Sequence, residues 1–173
     1  PTKLSSMEFI EIATTGNSTD FGDLSEAKMN LTGASSSTRG VIMGGTTSTS
    51  PNFSVKSIEY TVISSTGDSN GFADLASAGK QLNAGCESST RGIVLGGYRG
   101  TNPSDADATN NIQFFNFAST GNTTRFGELT QTARNVIAVS DQTRGVRMGG
   151  FTEPANAFTD TMDFITMASE GNA

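Results

Sequence analysis

Thr38-Arg39-Gly40-Val41-Ile42-Met43-Gly44-Gly45 decides the fold, because the chain writes this phrase three times. The other copies are Thr90-Arg91-Gly92-Ile93-Val94-Leu95-Gly96-Gly97 and Thr143-Arg144-Gly145-Val146-Arg147-Met148-Gly149-Gly150. Their arginines, Arg39, Arg91 and Arg144, stand 52 and then 53 residues apart. A fixed period of this length marks a repeat architecture. It also argues against a single catalytic centre, since each conspicuous residue has siblings in equivalent places.

Other landmarks keep the same step. A turn recurs at Thr15-Gly16-Asn17, Thr66-Gly67-Asp68, Thr120-Gly121-Asn122 and, altered, Glu170-Gly171-Asn172. A short motif follows at Phe21-Gly22-Asp23-Leu24, Phe72-Ala73-Asp74-Leu75 and Phe126-Gly127-Glu128-Leu129, and then a basic residue at Lys28, Lys80 and Arg134. Each unit reads as four short strands. In the first copy these are 30–35, 40–43, 58–64 and 72–75, separated by Gly, Ser, Thr and Asn, the residues that turn chemistry requires. No stretch of ten or more residues carries a convincing helical period.

The third strand is apolar on both faces: in the third period Ile112 and Phe114 alternate with Phe115 and Phe117. A strand half exposed to water alternates with polar residues, whereas one covered on both sides need not. The first strand favours small residues, Gly33-Ala34, Gly85-Cys86 and Ala138-Val139, as a crowded inner strand would.

Composition bounds the answer further. The chain has 173 residues, 34% of them hydrophobic, with 20 glycines and a formal net charge of −6. That length suffices for one domain, 1–173, with a sizeable core. An acidic chain whose cations are scattered singly is a poor partner for nucleic acid or an anionic membrane. No apolar run approaches the roughly 20 residues of a membrane span. No signal-peptide pattern opens the chain, and its start at Pro1 leads us to expect a segment upstream. Cys86 is the only cysteine and stands where the other periods have Ala34 and Val139, so we expect a small core residue rather than a nucleophile. There is no histidine to serve as its base.

These residues resemble kelch repeats. In that family an arginine precedes an apolar strand ending in Gly-Gly, a second apolar strand with an aromatic follows, and a turn leads to a hydrophobic–Leu piece. Gly40 to Gly45, Ile58 to Ser64 with Tyr60, and Phe72 to Leu75 fit that order, and the resemblance covers nearly the whole chain. One departure is clear: kelch units usually carry a tryptophan after the turn, where this chain has Phe21, Phe72 and Phe126. The wording "ATTGNSTDFGDL" and "SSSTRGVIMGG" is similar to repeat proteins of marine bacteriophage virions. The resemblance implies an all-β chain of kelch-like β-propeller blades, each a four-stranded antiparallel sheet. The chain would hold three full repeats, at 7–57, 58–111 and 112–161, and one extra strand in a partial fourth, 162–173. Such a ring is incomplete within this chain, since propellers usually have four to eight blades. Either further blades of the same protein complete it, or a homo-oligomer of two chains does.

Arg39, Arg91 and Arg144 invite a reading as a cationic ring for an anionic ligand. The scaffold reading is preferred: an arginine bonded to turn carbonyls, or to the recurring polar position Glu8, Glu59, Gln113 and Asp163, would tie one blade to its neighbour. The glycine pairs Gly44-Gly45, Gly96-Gly97 and Gly149-Gly150 are read as the same scaffold. Binding is expected on the loops after each pair, where the copies stop agreeing, with Tyr98, Arg99, Asp105, Asp107, Asn110, Phe151 and Glu153 as candidates. The 104–111 loop offers carboxylates to a hard cation but lacks the glycine and late glutamate of a calcium loop, so no metal site is expected. Four Asn-x-Ser/Thr matches, such as Asn17-Ser18-Thr19, are the chance yield of this composition.

No cofactor and no enzymatic centre are expected: there is no phosphate loop, metal-ligand cluster or nucleophile–base pair. The function expected is a structural or adhesion module of a virion, on the tail or capsid surface, whose partners are other virion proteins and host-surface glycan. The runner-up is a bacterial kelch-like interaction scaffold, extracellular or cytoplasmic. A glycan-acting or oxidase-type propeller enzyme comes third, and the oxidase would need histidine ligands this chain lacks.

Overall fold

The computed structural model describes residues 3–47, 54–76, 80–100 and 107–173. Among these the chain is all-β, with no helix. In order the strands are β1 (Leu4–Phe9), β2 (Thr19–Lys28), β3 (Thr32–Ser35), β4 (Arg39–Met43), β5 (Ser57–Val62), β6 (Asn70–Asp74), β7 (Lys80–Gln81), β8 (Ala84–Glu87), β9 (Arg91–Leu95) and β10 (Tyr98–Arg99). They continue with β11 (Asp107–Ala108), β12 (Asn111–Asn116), β13 (Thr124–Glu128), β14 (Ala133–Arg134), β15 (Ile137–Ser140), β16 (Arg144–Met148), β17 (Phe151–Thr152), β18 (Ala157–Phe158) and β19 (Met162–Thr166).

Four antiparallel sheets follow one plan. The first unit is β3-β4-β5-β6 and the second is β8-β9-β12-β13, each four-stranded. The third unit is β15-β16-β19, three-stranded, and an N-terminal hairpin pairs β1 with β2. A period counted from Met7 therefore starts on the third strand of one sheet and ends on the second strand of the next. Three periods fit the sequence, yet among the described residues only two sheets have four strands. Between the large sheets lie two small ones, β7-β10-β11 and β14-β17-β18, with a Met29–Thr46 bridge at the matching place after the hairpin.

The core sits between units rather than within them, because a lone four-stranded sheet cannot cover its own faces. Val41, Met43, Ile58 and Phe72 of the first unit pack against Val94, Phe115 and Phe117 of the second. On the other side of the second sheet, Ile93, Leu95, Ile112 and Phe126 pack against Ile165 and Met167 of the third. Alternate residues of β12 thus enter different cores, which is why that strand reads apolar throughout.

First strands of successive units lie close together. Gly85 of β8 leaves no room for a side chain beside the carbonyl of Gly33 in β3. Ser140 of β15 accepts from Glu87 N at 3.0 Å and donates to Glu87 O at 2.8 Å. Glycine and small residues are needed on this strand for that approach.

Candidate functional site

Two of the recurring arginines do the same thing. Arg39 donates through Nη1 to the carbonyl of Phe117 at 2.6 Å, reaching from the first unit to the second. Arg91 donates to Met167 O at 3.1 Å, reaching from the second unit to the third. Each guanidinium also lies over the aromatic ring of its own third strand, Tyr60 at 4.9 Å and Phe114 at 4.8 Å. Of the two kinds of acceptor the sequence offers, carbonyls are the ones used. Arg144 covers Phe164 at 5.0 Å, and no carbonyl among the described residues accepts from its guanidinium. Matching grooves of about 270 and 280 Å³ open beside Arg39 and Arg91, bordered by Ser36, Thr38, Ser89 and Thr90 at one seam and by Ser88, Thr90 and Gln142 at the other.

The glycine pairs take positive φ at every copy, from 58° to 109°. At the second position Gly45 N donates to Lys80 O at 2.8 Å and Gly97 N to Ala133 O at 2.9 Å. A β-carbon on Gly97 would stand 2.7 Å from that of Asn83. A side chain is therefore excluded twice, by the backbone conformation and by space.

The turn and the Phe-Gly-Asp motif prove to be partners across the seam. Gly67 N donates to Phe21 O at 2.7 Å, and the Asp68 carboxylate accepts from Asp23 N at 3.0 Å. Asn122 does the same for Asp74 N at 3.0 Å, and Asn172 for Glu128 N at 3.1 Å. The three later turns thus cap a preceding fourth-position strand, β2 of the hairpin, β6 and β13 in order. Each fourth-strand phenylalanine in turn meets the third-strand aromatic of its own sheet edge-on, in the pairs Phe9–Phe21, Tyr60–Phe72 and Phe114–Phe126.

The recurring polar position takes different partners. Glu59 holds Lys28, Ser25 N at 2.9 Å and Ser69 Oγ. Burial alone would raise its pKa, but the bonds from Lys28, Ser69 and Ser25 hold it down at about 2. Asp163 pairs with Arg147, both buried. The second unit has the neutral Gln113, bonded to Ala76 N at 3.0 Å. Lys80 nearby is fully buried, with Asn111 O at 3.0 Å and Asn111 Oδ1 at 3.3 Å as acceptors. Among the described residues no carboxylate pairs with it. Burial, helped by the charge of Arg99, pushes it down to about 7. The basic series also shifts register: Arg134 pairs across its small sheet as Gln81 does, and Ala133 takes the place of Lys80.

Of the candidate binding residues, three are drawn into one brace. Arg134 lies between the rings of Tyr98 at 5.1 Å and Phe151 at 4.6 Å. Glu153 accepts from Arg134 Nε at 3.0 Å with one oxygen and from Ala108 N at 2.9 Å with the other. The brace therefore ties the small sheet β14-β17-β18 to β7-β10-β11. Arg99 and Asp107 form an exposed pair at 3.4 Å on the neighbouring strands β10 and β11, with the buried Arg99 Nε unbonded. Asn110 follows at the half-buried edge. Asp105, with Ser104 and Ala106 of the 104–111 loop, lies outside the described residues. Among the described residues no three His, Cys, Asp or Glu side chains converge as metal ligands.

Cys86 is buried against the third unit, and burial together with the charge of Glu87 pushes its thiol up to about 12. Sequence reasoning passed over two features, Arg134 as the centre of a brace and Phe158 as a bare ring on β18. The doubled aromatics Tyr98 and Phe151 beside an arginine were the available signal for the first. No family model matches the chain, and no curated protein is significantly similar to it.

Proposed function

We propose that this chain is a non-enzymatic scaffold of kelch-like, β-propeller-type units, serving as a structural or adhesion module of a virion. One observation carries the reading: the conspicuous recurring residues are spent on unit-to-unit bonds, while the unspent polar chemistry stands on the short strands β10 and β11, where the copies stop agreeing. Arg39, Arg91, Glu59, Asn122 and Asn172 each have a partner in a neighbouring unit or hairpin. Tyr98, Phe151 and Glu153 hold Arg134. Arg99 and Asp107 remain for a ligand as an exposed ion pair, with the half-buried Asn110 three residues further along the chain. That set suits the hydroxyls of a host-surface glycan, which need donors and acceptors together. The close first strands and the cores between units support a propeller-type stacking. The similarity in wording to phage repeat proteins supports the virion.

A glycan array probed with the whole chain tests this. Binding to a surface glycan that is lost in R99A/D107A, with unchanged melting, is the expected result. No glycan bound, or binding untouched by that double variant, would overturn it.

A further inference from the structure

The two grooves at the unit-to-unit seams are built alike. Arg39, Ser36 and Ala118 of the first stand where Arg91, Ser88 and Ala168 stand in the second. Each groove is walled by two units of this chain. Their volumes, about 270 and 280 Å³, lie at the small end for ligand sites and suit a single sugar residue.

Fastening the units takes one N–H from each guanidinium, which has five to give. Among the described residues Nε and Nη2 of Arg39 and of Arg91 have no acceptor, and none of these atoms is enclosed. No carboxylate lines either groove, although the chain carries 17 Asp and Glu against 11 Lys and Arg. The turn before each arginine is closed by a neutral hydroxyl. Ser36 Oγ accepts from Arg39 N at 3.1 Å, and Ser88 Oγ from Arg91 N at 3.2 Å. The third copy closes the same turn with a carboxylate, Asp141 Oδ1 accepting from Arg144 N at 2.7 Å. Neither Asp141, folded into that turn, nor Glu87, bonded to Ser35, lines the second groove.

We propose that the two seam grooves are equivalent subsites for a carboxylated sugar, one residue at each seam. Its carboxylate takes the unspent N–H groups of Arg39 or Arg91, a planar fork that matches two oxygens. The serine and threonine hydroxyls are there for the ring hydroxyls. So is the Gln142 amide nitrogen, since the amide oxygen already accepts from Ser89 N at 2.7 Å. Ala118 and Ala168 give the C–H face of the ring a small apolar wall. A neutral lining matters in an acidic chain, because a carboxylate in the groove would repel the ligand. Ser89 and Thr90 line both grooves, so the subsites adjoin and a run of acidic sugars can fill them in succession. The proposal does not depend on what Arg99 and Asp107 bind.

An NMR titration of the whole chain with D-glucuronate, D-glucose and acetate at low ionic strength tests it. Glucuronate should shift the amides of 36–39 and 88–91 together and saturate at two molecules per chain. It should bind about tenfold tighter than glucose or acetate, the weight of one charge-assisted bond, and weaken with added salt. Ser89 is exposed, so S89E should melt like the parent while its carboxylate abolishes binding at both seams. Q142E keeps the acceptor for Ser89 N and should silence the 88–91 shifts alone. R99A/D107A should leave both sets of shifts intact, which separates these subsites from that ion pair. Absence of the glucuronate shifts overturns the proposal. So does glucose or acetate binding as tightly as glucuronate, or glucuronate binding that survives S89E.

Discussion

Arg91 Nη1 donates to the carbonyl of Met167 at 3.1 Å, 76 residues further along the chain and one sheet away. The same guanidinium lies 4.8 Å from the centre of the Phe114 ring. One side chain thus fastens two units and flattens against its own. Arg39 repeats the arrangement one unit earlier, with Phe117 O and Tyr60. A repeat protein whose units touch only their neighbours depends on such seams for its stability.

The Lys28–Glu59 pair sets the acid limit of the first seam. Glu59 is held at about 2 in the fold, below the ordinary 4.5, so its contribution is complete above pH 4.5 and disappears as pH falls toward 2. E59Q should remove that acid transition and destabilise the chain at neutral pH by about 3–5 kcal/mol, because Lys28 is left buried without its close carboxylate, the half-exposed Glu26 standing 3.8 Å away. Denaturant melts of both proteins between neutral pH and pH 2 check this. Equal slopes against pH in the two would contradict it.

Lys80 works with the opposite sign. Its pKa falls from 10.5 to about 7 in the fold, so between these values the unfolded chain binds more protons. Stability therefore rises as pH climbs from 7 to 10.5, and below 7 the buried charge is borne in full. K80M should melt higher than the parent at pH 6 and lose most of the rise above pH 7. A parent whose melting is flat from pH 7 to 9, below the range in which the unfolded Cys86 thiol ionises, would contradict the account.

Cys86 and Gly145 share one small space at the second seam. A β-carbon on Gly145 would lie 2.7 Å from Cys86 Sγ. G145A should cost about 1–3 kcal/mol through overpacking. C86A should recover a large part of that loss in the double variant, although it costs stability alone. The native thiol, buried and pushed up to about 12, should resist alkylation at pH 8 and react at once on unfolding. Additive losses in the double-mutant cycle would sink the assigned contact.

The period, the four-strand plan and the place of the glycine pairs were legible because each repeats along the chain. Strands of four to six residues with an apolar face announce themselves. β7, β10, β11, β14, β17 and β18 have two residues each, too short for any pattern, so the small sheets were not readable. Nor was the pairing of Asn122 with Asp74 N, since 48 residues separate them and only the stacked units bring them together. Tyr98, Phe151 and Glu153 looked free because the two-residue strands and the turn that hold them carry no readable pattern. What the one-dimensional pattern hid was Arg134, whose register slips by one residue against Lys28 and Lys80.

The most direct test of the scaffold reading compares two arginines of one motif. Arg91 bridges two units and Arg144 reaches no carbonyl among the described residues, although Thr-Arg-Gly surrounds both. In dilute protein, R91A should lower stability by about 1–3 kcal/mol through loss of the charge-assisted bond, and R144A should stay within about 0.5 kcal/mol of the parent. Equal effects from the two substitutions, or an intact melting point in R91A, would contradict the claim that the recurring arginine fastens each unit to the next.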